Sequence, residues 1–321
     1  MWGNVWGWFL SLLIVLGTVV GLVYLERMDR AASPTALAKD DKNLAVLELP
    51  PQASIDRLLP DLTGPQDPRE LYRRAIAAYM DDPAPYDTVA RGGELPRKFG
   101  DLPAIAPLLD AALSPSDVVL APMSDDVVTL VAARRPLEAI STLGEALVRA
   151  GLALEETNRV TAIGYYNVAL SLGYKLYRER LVYDELVAGM TLMSEAALRL
   201  AKLTTDDQRR DTLLQFENAR RQFVIQRITP IRNVIAAADP NIMSLHAGDV
   251  IVFARTSKER LWRVEAAFAL ARHKYSAPRP RDRAAALRTL EALAADEKDP
   301  IVRRAATLAR DLTVEENRTL R

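Results

Sequence analysis

The side chains with the most chemical potential in this chain are few and scattered. It contains no Cys, and its two His residues are His246 and His273. Disulfides, thiolate nucleophiles and Cys-ligated zinc are excluded, and imidazole chemistry is confined to two positions. His246 stands close before Asp249, where a carboxylate could orient it as a base. No nucleophile motif accompanies it, which favours a His packed at a helix–loop boundary. His273, in Arg272-His273-Lys274, reads as a helix C-terminal residue complementing the dipole. Phosphate-binding glycine loops, metalloprotease helices, nucleophile elbows and calcium loops are all missing. The residues thus predict no catalytic or metal site, and no cofactor is expected.

Two clusters could instead bind. Arg209-Arg210 and Arg220-Arg221 are separated by three helical turns, so they share a helix face with Arg227 nearby. Such a stripe suits an acidic partner or lipid headgroups. Asp206, Asp207, Asp211 and Glu217 are interspersed, which favours a self-paired, solvated face. Tyr165, Tyr166, Tyr174, Tyr177 and Tyr183 recur at helical spacing. They read as core, with a concave ligand surface as the sharper alternative.

The elements that would position these groups begin with an apolar run. Residues 1–25 carry no charged side chain, and from Trp8 they are almost wholly apolar. About 20 such residues suffice to cross a bilayer. Trp2, Trp6 and Trp8 stand at one end and Tyr24 at the other, the pattern of interfacial aromatics. A cleaved signal peptide would want a basic start and a shorter apolar core. Arg27 and Arg30 follow the run and nothing basic precedes it, which favours a cytoplasmic domain. Gly17 and Gly21 make a small-xxx-small pair, through which two spans could pack as a homodimer.

Lys+Arg and Asp+Glu balance at 42 each. Such a chain has no basic footprint, and nucleic acid is not an expected partner. Residues 26–66 are interrupted by Pro34, Pro50, Pro51, Pro60 and Pro65, the composition of a linker. Asp67-Pro68-Arg69-Glu70 has the caps of a helix start. After a proline-broken stretch, residues 137–229 contain no Pro and show apolar stripes at helical spacing. Gly164, Gly173 and Gly189 lie inside those stripes. Glycine in a helix costs up to ~1 kcal/mol relative to Ala, so close helix–helix approach is its expected return. A further capping box is read at Thr205-Asp206-Asp207-Gln208, and Pro230 is expected to end that helix.

Near the C-terminus, Asp299-Pro300-Ile301-Val302-Arg303-Arg304-Ala305-Ala306 resembles the second helix of a HEAT repeat, whose usual pattern is Asp-Pro-x-Val-Arg-x-x-Ala. Leu261-Trp262-Arg263 stands forty residues before Ile301-Val302-Arg303, within the HEAT period. The resemblance covers about residues 257–312. It departs after Ala309, where Arg310 and Asp311 replace the usual Leu and Gly. It implies that Asp299 and Arg303 hydrogen-bond between neighbouring repeats.

The expected architecture is therefore all-α: an N-terminal transmembrane anchor (1–25), a Pro-rich linker (26–66), a helical domain (67–240) and HEAT-like C-terminal helices (241–321). The expected function is a single-pass, membrane-anchored scaffold or protein–protein interaction module at a bacterial inner membrane. Its partners would be the bilayer and another protein. The alternatives are a membrane-bound enzyme with a carboxylate-based site and an accessory subunit of a membrane complex. Replacing Gly17 and Gly21 together by Ile should weaken self-association in a bilayer, read by energy transfer between labelled copies. Unchanged transfer would dispose of the paired-span expectation.

Overall fold

The first described helix starts one residue after the expected Pro68, which takes the N-cap position without a side-chain cap bond. Asp67 accepts from the Arg69 amide at 3.1 Å and pairs with its guanidinium at 2.5 Å, and helix α1 (Arg69–Asp81) begins there. In this computed structural model, residues 49, 55, 58–120, 135–236, 247–276 and 280–312 are described. The apolar run 1–25, with Gly17 and Gly21, lies outside them, as does His246. Among the described residues every regular element is helical, so the chain is all-α there, and no helix is long and apolar enough to cross a membrane.

Among the described residues the fold opens with α1, α2 (Ala84–Ala90), a 3-10 turn (Phe99–Asp101) and α3 (Ile105–Ala112). Four longer helices follow: α4 (Arg135–Leu154), α5 (Arg159–Glu179), α6 (Tyr183–Leu203) and α7 (Asp207–Phe223). They pack in chain order, α4 on α5, α5 on α6 and α6 on α7. The corners between them are short, so neighbours run antiparallel. α1 and α2 cover α4, and α3 lies on α5. The chain closes with α8 (Thr229–Ala236), α9 (Ala247–Thr256), α10 (Arg260–Ser276), α11 (Pro280–Asp296) and α12 (Pro300–Asp311). α10 is central to this end, touching α9, α11 and α12. One buried cluster extends from Ile55 to Ala309.

Local chemistry sets the boundaries. Asn158 caps α5 by accepting from the Thr161 amide. The α7 cap is Asp206, which accepts from the Gln208 and Arg209 amides; it falls one residue after the predicted Thr205. Pro230 does not end the helix. The chain passes from α7 through a π turn, Val224–Ile228, into α8. In that turn the Thr229 amide reaches the Val224 carbonyl five residues back, and the Thr229 hydroxyl bonds to the same oxygen at 3.0 Å. A wide turn directly before a proline makes room for its ring and missing donor.

The α5–α6 interface is set by two glycines facing each other. A methyl group placed on Gly173 would lie 2.8 Å from the Gly189 carbonyl oxygen and 2.9 Å from the Met193 nitrogen. One placed on Gly189 would lie 2.7 Å from both the Gly173 oxygen and the Tyr177 nitrogen. The backbones therefore touch with no side chain between them. Gly144 and Gly151 serve the same end on α4, receiving Leu192 and the ring of Tyr166. Gly164, by contrast, faces open space.

This difference fixes the sign of three substitutions. Gly173→Ala and Gly189→Ala should each destabilise by about 3 kcal/mol, because the obstructing atoms are backbone and have little room to give. Gly164→Ala should stabilise by up to ~1 kcal/mol through helix propensity alone. Urea unfolding followed by circular dichroism separates the two groups.

Candidate functional site

The strongest concentration of buried polar chemistry lies along one face of α5 and at the α5–α6 corner. Ser171, Lys175 and Glu179 are spaced four apart, so they stack on one side of the helix. Each holds backbone of the segment leaving α3. The Ser171 hydroxyl donates to the Ala112 carbonyl at 2.6 Å. The Lys175 ammonium donates to the Ser114 carbonyl at 2.5 Å and also to that of Ser116. Glu179 Oε2 accepts from the Val119 and Leu120 amides at 3.0 and 2.7 Å. Burial pushes the Lys175 pKa down, and nearby Asp117 partly opposes this.

Glu179 also meets Glu185, the most enclosed acid among the described residues. Glu185 is 0% exposed. Its Oε2 accepts from the Leu181 amide at 2.5 Å, and the Val182 amide adds a second bond. Burial, then the Glu179 charge, raise its pKa well above the ordinary 4.5. Glu185 also shares a hydrogen bond with Glu179. Tyr72 of α1, fully buried, stands within the field of Glu179, and burial raises its pKa.

A pair of carboxyls in contact is what acid–base catalysis uses, but Oε2 of each accepts from backbone amides. These bonds stabilise a strained corner. Arg180 has φ +27°, a region costly for any residue with a Cβ. Its guanidinium reaches Glu259, just before α10, at 3.4 Å and lies over the Tyr177 ring at 5.1 Å. The Tyr183 amide donates to Glu265 at 3.0 Å. The corner is therefore where the C-terminal helices attach. None of Lys175, Glu179 and Glu185 was singled out from sequence. The usable signal was a polar triad at four-residue spacing inside an otherwise apolar helix.

The predicted tyrosine surface is dispersed through the core. Tyr165 meets Phe99 edge-on. Tyr166 donates to Glu155 at 2.9 Å. Tyr177 accepts from the Leu49 amide at 2.8 Å, and Tyr183 packs on Trp262 and under Arg232. The four arginines of α7 have separate environments. Arg210 pairs with Asp207 at 2.7 Å. Arg220 turns inward to Glu217 and the Ser194 hydroxyl, at 2.7 and 3.1 Å. Arg221 stays exposed, 4.0 Å from Glu217. Arg209 donates to Asn167 at 3.5 Å.

At the C-terminal end, Asp299 caps α12 through the Ile301 and Val302 amides and pairs with Arg260 of α10 at 2.8 Å. Arg303 is exposed. The cation joining the two helix pairs at this point is thus Arg260. A second bridge, Arg263 to Glu297, parallels it. A cleft of about 240 Å³ opens at the other end of the bundle, between the start of α5 and the α6–α7 corner. Among the described residues no group of acidic or His side chains could hold a metal ion. The chain matches no family model, no curated protein and no solved structure.

The sign of the Glu185 shift predicts a pH dependence. Its folded pKa lies above the unfolded value near 4.5. As pH rises past that value, the unfolded chain releases a proton that the folded chain keeps, so stability falls by up to about 1.4 kcal/mol per pH unit. Glu185→Gln should remove this slope, gaining on the wild type as pH rises above the unfolded value near 4.5. Urea unfolding across that range measures it, and a constant offset at every pH would show that Glu185 is ionised in the fold.

Proposed function

We propose that the chain is a membrane-tethered helical interaction module, anchored through residues 1–25 and presenting its C-terminal helices to a protein partner. The observation that carries this reading is the packing of two successive helix pairs, α9–α10 and α11–α12. α10 lies against α12, and Arg260 of the first pair bonds to the capping Asp299 of the second. That arrangement supports the likeness to HEAT repeats, which work by offering extended faces to other molecules. Val252 of α9 and Leu287 of α11 each leave 38% of their surface exposed, apolar area of a kind that partners cover. In the carboxyl pair that would favour an enzyme, one oxygen of each member accepts from the chain's own amides. A subunit of a larger membrane assembly is the same reading with a permanent partner.

A photocrosslinking residue at position 252 or 287, in the full chain in its native membranes, should yield a discrete protein adduct. The same residue at Val160, which is 83% exposed at the far end of the bundle, should not. Adducts equally abundant at all three positions, or at none, would remove the C-terminal helices as the docking face.

A further inference from the structure

The cleft at the α6–α7 corner has an unusual charge arrangement. Buried Leu200 and Leu203, with half-buried Ile163, form its apolar floor. Arg159 enters from the start of α5 and Arg209 from the first turn of α7, and Thr204 and Thr205 join the same lining. The cations around it are neutralised. Arg199 and Lys202 pair with Glu155, Arg210 pairs with Asp207, and Arg220 and Arg221 lie against Glu217. Arg159 and Arg209 differ. Among the described residues neither makes an ion pair. Arg159 donates to the Leu203 carbonyl and Arg209 to the Asn167 side chain.

The nearby acids do not cancel them. Asp206 directs its carboxylate to the Gln208 and Arg209 amides, and Asp207 is held by Arg210. Each guanidinium has five N–H donors, so one bond apiece leaves most of the fork unused. The Thr204 hydroxyl oxygen already accepts from the Asp206 amide at 3.4 Å. Its proton is thereby left to donate elsewhere.

We propose that this cleft binds a phosphate monoester, its oxygens shared by Arg159 and Arg209 with the Thr204 and Thr205 hydroxyls, and its carbon side on Leu200 and Leu203. Paired guanidinium forks match phosphate oxygens bidentately, which a lone ammonium does not. The volume, about 240 Å³, suits a headgroup-sized ligand. The ester is either a soluble metabolite or the head of an anionic lipid. The site does not depend on the docking role proposed for the C-terminal helices, which lie at the other end.

The test is titration calorimetry on the full chain, purified in neutral detergent, with ionic strength held constant by potassium chloride. The two probes are inorganic phosphate and short-chain phosphatidic acid. The wild type is expected to bind at least one of them. Arg159→Gln and Arg209→Gln should each weaken binding about tenfold or more, the usual effect of losing a charge-assisted bond. Arg209→Lys should fall between, keeping charge and losing the fork. Arg221→Gln, at the exposed position beside Glu217, should bind like the wild type. Much tighter binding of phosphatidic acid than of phosphate assigns a lipid source, and similar affinities assign a soluble ester. No heat from either probe with the wild type overturns the proposal. So does equal weakening in Arg221→Gln. Circular dichroism without ligand confirms that each variant is folded.

Discussion

The fold depends on backbone touching backbone. Where α5 crosses α6, Gly173 and Gly189 remove the side chains that would otherwise keep helices 8–10 Å apart. Everything beside that crossing inherits its closeness. Leu192 can then reach the hollow at Gly144, and the ring of Tyr166 the one at Gly151. Glu155, at the end of α4, gathers Tyr166 from α5 and Lys202 and Arg199 from α6. Spread that crossing by one methyl group and all three helices lose register together.

A second consequence is polar. Close helices leave little room for water, so a buried hydrogen-bonding group needs a partner from the protein. Residues 113–120, after α3, have no regular structure, and their carbonyls and amides would be orphaned against α5. Ser171, Lys175 and Glu179 satisfy them in turn. Glu185 does the same for the amides of the next corner. Burial raises the Glu185 pKa and lowers that of Lys175, yet both groups also carry backbone. Displaced titration marks burial as readily as it marks catalysis.

Much of this was legible beforehand, and the failures have physical causes. Stripes of Leu, Ala and Tyr located α4 to α7, because helical spacing follows directly from which side is buried. Gly173 and Gly189 are the contact points that their place in the apolar stripes predicts. Gly164 has the same sequence setting and faces open space, since sequence records a glycine but not its neighbour. Asp206 took the capping role expected one residue earlier. Pro230 was read as a stop, because a proline's conflict is with the preceding turn, and a π turn that resolves it leaves no compositional trace. The Glu179–Glu185 contact was invisible among 42 acidic residues: its two members lie on different helices and meet only through the corner between them. Arg159 was missed for the same reason, its cleft being built from helix ends remote in sequence.

One small bond has a geometric reach beyond its size. The Leu49 amide on the Tyr177 hydroxyl moors the incoming chain at the end of α5, beside the corner that holds the C-terminal helices. From there, residues 26–48 can stretch at most roughly 80 Å. In the tethered arrangement proposed above, the leash is therefore short and off-centre. It enters on the flank of the particle where α10 attaches, so the molecule would swing from one shoulder rather than from its middle. Partners embedded in the same bilayer would fall inside that arc, while those farther away would have to come to it.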